Sequence, residues 1–243
     1  MRNNSYLINV YKNKNTKSNI VTQLIYGETF KILKKRGYWI KIKNDYDHYI
    51  GFIKNKKFPA NQKNTHKVFS LYANLYTGPS NRYKTKKKLS FGSKIKVIDR
   101  KKKFYRFDNL WIEKKNLKKI NYKEKDIFKN IKIFLNRKYK WGGKHFSGVD
   151  CSGLLQLFFY FNNKFCPRDT KDQIKYFKNE IKLSKIKKND LIFWKGHVAL
   201  IISKKKLIHA YGPLKKTVIM PIDKTINRIQ KTANLKVIGI RRF

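Results

Sequence analysis

Between Tyr6 and Ile53 the chain breaks into five short runs rich in β-branched and aromatic residues: Tyr6–Tyr11, Val21–Leu24, Glu28–Lys34, Tyr38–Lys43 and Tyr49–Ile53. Several alternate apolar and polar residues with period two, and Gly27, Gly37 and Gly51 punctuate them. Runs this short cannot stand alone, because an isolated hairpin is marginal in water. Five in such close succession predict a small closed all-β barrel.

The rhythm recurs in Phe69–Leu75, Lys86–Phe91, Ser93–Asp99, Phe104–Phe107 and Trp111–Glu113. Gly27-Glu28-Thr29-Phe30-Lys31-Ile32-Leu33 aligns with Gly92-Ser93-Lys94-Ile95-Lys96-Val97-Ile98, a weak repeat of two units. Phe58–Gln62 reads as the linker. From Tyr122 the texture changes. Ile127, Phe128, Ile131, Phe134 and Leu135 recur at spacings of three and four, which predicts an amphipathic helix. Ser152–Phe161 is an apolar run long enough for a buried helix, and Lys171–Phe177 predicts a further one. Leu191–Trp194, Val198–Ser203, Leu207–Tyr211, Thr217–Met220 and Lys236–Arg241 read as strands. Helices followed by strands define an α+β domain. The expected domains are 1–60, 61–121 and 122–243.

Charge limits the function classes less than its size suggests. The chain carries 60 Lys+Arg against 14 Asp+Glu, a net +46. Residues 1–121 contribute +25 and residues 122–243 contribute +21. Fifty of the sixty cations are Lys, whereas Arg is the residue suited to bidentate base and phosphate contacts. An even spread of Lys reads as a solvated basic surface, and no specific nucleic-acid partner is expected. No stretch approaches the roughly 18–20 apolar residues of a membrane helix. The run Tyr6–Val10 lacks the length and cleavage site of a secretory signal, so the expectation is a soluble, cytoplasmic protein without membrane insertion. Two cysteines give neither a disulfide framework nor a Cys-rich zinc site.

Chemistry concentrates around Cys151. Tyr139-Lys140-Trp141-Gly142-Gly143 precedes Asp150-Cys151-Ser152-Gly153-Leu154-Leu155, which sets a cysteine where a helix begins. Unsatisfied N–H groups and the positive end of the dipole favour the thiolate there, and Asp150 can cap the helix. A nucleophile needs a base. His197 and His209 lie twelve residues apart with a Ser203-Lys204-Lys205-Lys206 turn between them. An odd-length loop centred on Ser203 sets both imidazoles on one face, whereas a two-residue loop at Lys204-Lys205 sets them on opposite faces. His145, six residues before Cys151, is the rival base. Cys166 reads as inert, and His48 and His66 as structural.

These residues resemble the NlpC family of bacterial cell-wall cysteine peptidases. The resemblance rests on Tyr139-x-Trp141-Gly142-Gly143, Asp150-Cys151-Ser152-Gly153-Leu154, Asn189–Trp194 before Gly196-His197-Val198, and Ile208-His209-Ala210. The two small β units resemble bacterial SH3-like domains. The whole resembles the subgroup of γ-D-glutamyl-L-diamino acid endopeptidases, which implies a papain-like catalytic domain behind two SH3-like barrels. It also implies Cys151 as nucleophile, His197 as base and His209 as the orienting residue, with no metal or organic cofactor. For a murein peptide substrate it implies contacts from Tyr139, Asp150, Ser152, Arg168, Asp169 and Thr170, the last in place of the family's serine. An acid and an aromatic from the first β unit close the amine end in that subgroup, with Glu28 and Tyr49 the candidates here. An amidase or acyltransferase on the same frame, or a non-catalytic basic module binding wall peptides or nucleic acid, remain as alternative readings.

Overall fold

The computed structural model describes all 243 residues. The first β unit holds β1 (Leu7–Tyr11), β2 (Ile20–Ile25), β3 (Phe30–Arg36), β4 (Trp39–Asn44) and β5 (Ile50–Lys54). They form one antiparallel sheet in the order β2-β1-β5-β4-β3. Alternation along these strands turns Val10, Leu24, Phe30, Ile40, Ile42 and Ile53 into a buried core. Phe58, from the predicted linker, joins that core edge-on to Phe30 with ring centroids 5.0 Å apart.

The second unit holds β6 (His66–Val68), β7 (Tyr72–Tyr76), β8 (Lys84–Ser90), β9 (Lys94–Ile95), β10 (Asp99–Lys101), β11 (Phe104–Phe107), β12 (Leu110–Glu113) and β13 (Leu117–Lys119). They divide into sheets β10-β11-β12-β7-β8 and β13-β6-β9. The expected strand Phe69–Leu75 begins only at Tyr72, Ser93–Asp99 is interrupted after Ile95, and β6 and β13 add strands that the sequence did not suggest. The repeat is visible in one backbone detail. Gly27 and Gly92 take φ of +83° and +81°, a left-handed conformation that favours glycine.

The remaining residues build β14 (Lys144–His145), β15 (Gly148–Val149), α1 (Cys151–Phe161), α2 (Thr170–Tyr176), β16 (Asn179–Glu180), β17 (Leu191–Trp194), β18 (His197–Ile201), β19 (Lys206–Tyr211), β20 (Lys216–Pro221), α3 (Ile222–Ala233) and β21 (Val237–Arg242). The main sheet runs β16-β21-β17-β18-β19-β20. The helix expected over 127–135 does not form. Lys129, Ile131, Ile133 and Arg137 donate instead to carbonyls three residues back, and Ile131–Phe134 is one 3-10 turn. β-Branched and aromatic residues favour an α-helix weakly, and successive three-residue turns bury Ile127, Phe128, Ile131 and Phe134 just as well. Helix α3 was not foreseen, although Ile222, Ile226 and Ile229 carry its spacing.

All eleven residues of α1 are buried. Ile25 of the first unit and Phe91 of the second enter the same hydrophobic cluster as Leu154, Phe158 and Phe161. The Phe91 ring lies 4.8 Å from both Phe158 and Phe161. A central helix that serves as core for three units fixes where its N-terminus, and therefore Cys151, points. No helix is long and apolar enough to cross a membrane.

Candidate active site

Cys151 is the first residue of α1, behind the N-cap Asp150, whose carboxylate accepts the Gly153 amide at 2.7 Å. The loop before it folds back so that Asp150 also accepts the Gly142 amide at 2.8 Å. Gly142 sits at φ +69°, and a Cβ there would run into the Ile20 carbonyl of the first β unit. Gly153 is equally constrained, since a Cβ would meet the Gly143 carbonyl. The Trp-Gly-Gly signal in the sequence is thus a requirement for close backbone approach.

Arg168 locks this end of the helix. Its guanidinium, 3% exposed, donates to both Asp150 oxygens at 3.0 and 2.6 Å, to Ser152 Oγ at 2.9 Å and to Thr22 Oγ1 at 3.0 Å. Burial opposes the charge on Arg168, but Asp150 outweighs it and holds the guanidinium's pKa well above its ordinary value. Two of the expected contact residues therefore face each other as a buried ion pair, with Thr22 of the first unit as a third partner.

Across the cleft, β18 opens with His197 and β19 carries His209. Leu200 pairs with Ile208 and Ile201 with Leu207, so a three-residue loop, Ser203–Lys205, joins the strands. The odd length puts both rings on one face, as anticipated, but the loop is centred on Lys204 and not Ser203. The rings are consequently diagonal neighbours, with His197 Nε2 and His209 Nδ1 2.8 Å apart. Tyr211 stacks on His209 at 4.7 Å and 10°. With Nε2 committed to His209, Nδ1 is the ring nitrogen left for a substrate-side proton. His145 is buried and turned into its own loop, where its Nδ1 meets Ser147 Oγ at 2.8 Å.

Burial sets the resting charge state. It pushes the Cys151 thiol up to about 12, reinforced by the nearby Asp150 and opposed by the Val198 and Ser152 amides and Arg168. It pushes His197 down to about 4, with Asp150 pulling the other way, and His209 lower still. Thiol and imidazole are therefore both held in their neutral forms.

The cleft around Cys151 encloses about 410 Å³ and is lined by Tyr49, Tyr139, Trp141, Asp150, Ser152, Asp169 and Thr170 among others. Asp169 occupies the N-cap position of α2, yet its side chain caps nothing; it accepts the Tyr49 hydroxyl at 3.2 Å. Burial raises the Asp169 carboxyl's pKa, with Arg168 and Tyr49 acting against it, and lifts the Tyr49 phenol to about 12. Glu28 departs from expectation and does not line this cleft. It is 1% exposed, accepts the Ile25 amide at 2.7 Å and pairs at 2.6 Å with Lys144 of the third unit. The Ile25 amide and the Lys144 ammonium occupy its two oxygens and hold it in the seam between the first and third units. No cluster of three His, Cys, Asp or Glu stands ready to hold a metal.

A cysteine at a helix mouth opposite two linked histidines defines a cysteine-peptidase class of site. Residues 136–233 match the NlpC/P60 family, and residues 10–58 match the bacterial dipeptidyl-peptidase SH3 domain. The chain thus carries a segment of NlpC/P60 type behind one of bacterial SH3 type. The dipeptidyl-peptidase 6 of Lysinibacillus sphaericus is 38% identical over 72 residues, which span 30% of this chain and 27% of that protein. An NlpC/P60 family protein from Bacillus cereus superposes with a TM-score of 0.84 at 20% identity, covering 100% of this chain and 98% of the other. An NlpC/P60 endopeptidase from Photobacterium damselae subsp. piscicida gives 0.62 at 14% identity, covering 96% and 69%. At these identities the likeness speaks for the papain-like fold alone.

Proposed function

We propose that the protein hydrolyses the bond between γ-D-glutamate and a diamino acid in murein peptides that begin with a free L-Ala amine. Cys151 is the nucleophile, His197 the base and His209 the residue that orients it. The observation that carries this reading is that the Cys151 thiol, at the mouth of α1, meets the amide of Val198, the residue after His197, which is itself hydrogen-bonded to His209. On substrate binding the thiol proton passes to His197 as sulfur bonds to the γ-carbonyl carbon. The C–N bond then breaks and His197 returns the proton to the leaving amine. Water attacks the thioester, loses a proton to His197, and the departing sulfur takes it back. The Cys151 amide, first in its helix and without an intrahelical acceptor, and the Tyr139 hydroxyl meet the oxyanion. Burial holds the Tyr139 hydroxyl's pKa well above normal, which keeps it a donor.

Asp169 and Tyr49 receive the L-Ala amine in this reading, a task for which Glu28 is no longer a candidate. The Arg168–Asp150–Ser152 lock, with Thr170 beside it, lines the D-Glu subsite. The second β unit is read as a second SH3-like domain on the strength of the shared Gly27 and Gly92 turn, with units at 1–60, 61–121 and 122–243. A cytoplasmic role on small peptides is consistent with two cysteines that remain free thiols. Incubation with L-Ala-γ-D-Glu-diaminopimelate tests the whole. Release of L-Ala-D-Glu that disappears in Cys151→Ala supports it. No turnover, or activity lost in His145→Ala but kept in His197→Ala, overturns it.

A further inference from the structure

The cleft holds two cations that nothing neutralises. Arg168 is consumed by Asp150, but Lys171 and Lys195 line the same cavity and neither takes part in an ion pair. Their positions differ. Lys171 follows Thr170 in the first turn of α2, beside Asp169 at the amine end. Lys195 occupies the two-residue turn Lys195-Gly196 that joins β17 to β18, with Trp194 paired to His197 across it. Gly196 takes φ +75° there, which fixes the turn and holds Lys195 at its tip, two residues before the base.

The leaving nitrogen must come within hydrogen-bond reach of His197 to receive its proton, about 3 Å. The α-carboxylate of the leaving residue is carried on the same carbon as that nitrogen. It therefore lies on the His197 side of the cleft, where the Lys195 ammonium is the nearest uncommitted cation in the chain order. We propose that Lys195 reads a free α-carboxylate on the residue released, so that the cleft selects short peptides ending at that residue. This rests on the hydrolysis proposed above. Trp141, 64% exposed and lining the cavity, then offers an apolar wall to the side chain of the residue released. An amine bound at Asp169 and Tyr49 and a carboxylate bound at Lys195 together measure the length of a tripeptide.

The test compares L-Ala-γ-D-Glu-diaminopimelate with the same peptide amidated at the α-carboxyl of its last residue. The free acid is expected to have a kcat/KM about threefold to fivefold higher, the range of an exposed ion pair, and the preference should shrink as salt is raised. Lys195→Gln should remove the preference mainly through KM for the acid, and Lys195→Glu should invert it. Equal turnover of acid and amide by the wild type overturns the proposal while leaving the hydrolysis intact. A preference that persists in Lys195→Gln but vanishes in Lys171→Gln also overturns it. Absence of turnover on both peptides with a folded protein refutes the underlying reaction, and the carboxylate reading falls with it.

Discussion

Arg168→Met is the perturbation whose effect can be worked furthest from the structure. Arg168 is 3% exposed and Asp150 6%, and the pair shares two hydrogen bonds. Removal of one partner from a buried ion pair costs about 3–5 kcal/mol, chiefly because the remaining charge is stranded. Asp150 keeps the Gly142 and Gly153 amides, which places the loss near the low end, about 3 kcal/mol. For a chain of this size each kcal/mol shifts Tm by ~2–4 °C, so Arg168→Met should melt about 6–12 °C lower. The three units share the cluster around α1, and one thermal transition is expected. The double variant Asp150→Asn/Arg168→Met should recover about 1–2 kcal/mol relative to Arg168→Met. Circular-dichroism melts at pH 7.5 read both quantities. A Tm within ~2 °C of wild type, or a double variant destabilised by the full sum of the two single losses, refutes the reasoning.

Acid should destabilise the fold through its buried histidines. His145 and His197 are pushed down to about 4 by burial, while an unfolded histidine takes a proton near its ordinary 6.5. Between those values the unfolded state binds more protons, so stability falls as pH falls, by ~1.4 kcal/mol per pH unit per histidine. The raised carboxyls of Glu28 and Asp169 offset part of this, and urea melts from pH 7 to pH 4.5 measure the net. His209→Ala should lower kcat about 10²-fold with little change in KM, and His209→Gln should restore part of it by giving His197 a new polar neighbour. Gly142→Ala should cost at least ~1–3 kcal/mol for its left-handed backbone alone, and a melt unchanged from wild type would discount the contact with Ile20.

What could be read from the sequence was local. The strand runs of the first unit fall within two residues of β1–β5, because alternation and glycine turns are short-range signals. Cys151 at the start of α1 was legible for the same reason, since a cap and an apolar run are adjacent in the chain. The loop between β18 and β19 was legible in parity but not in register. Parity follows from an odd loop, whereas the register depends on Ile201 and Leu207 both reaching the core. Glu28 failed because its partner Lys144 lies 116 residues away and nothing around either residue announces the pair. Lys67 is a similar case. It is fully buried without a carboxylate partner and donates to the carbonyls of Tyr122 and Phe161, at the end of α1. A lysine in a strand reads as solvent-facing until the helix terminus that receives it is known.

That helix terminus and the opposite one share a logic. A carboxylate at the N-cap stabilises α1 by about 0.5–2 kcal/mol, yet a negative charge beside Cys151 raises the thiol's pKa and opposes the nucleophile. The two demands conflict at Asp150, and Arg168 resolves them by cancelling the charge while leaving the oxygens free to accept Gly142 and Gly153. Lys67, set against the carbonyl end, then complements the dipole whose positive end faces Cys151. A buried ion pair is weak evidence for stability, since an apolar pair of similar shape often does as well. Its value here lies in letting one residue cap α1 without placing an uncompensated anion next to the Cys151 sulfur. A well-packed apolar replacement of both residues could therefore preserve Tm and still lose the geometry that the reaction needs.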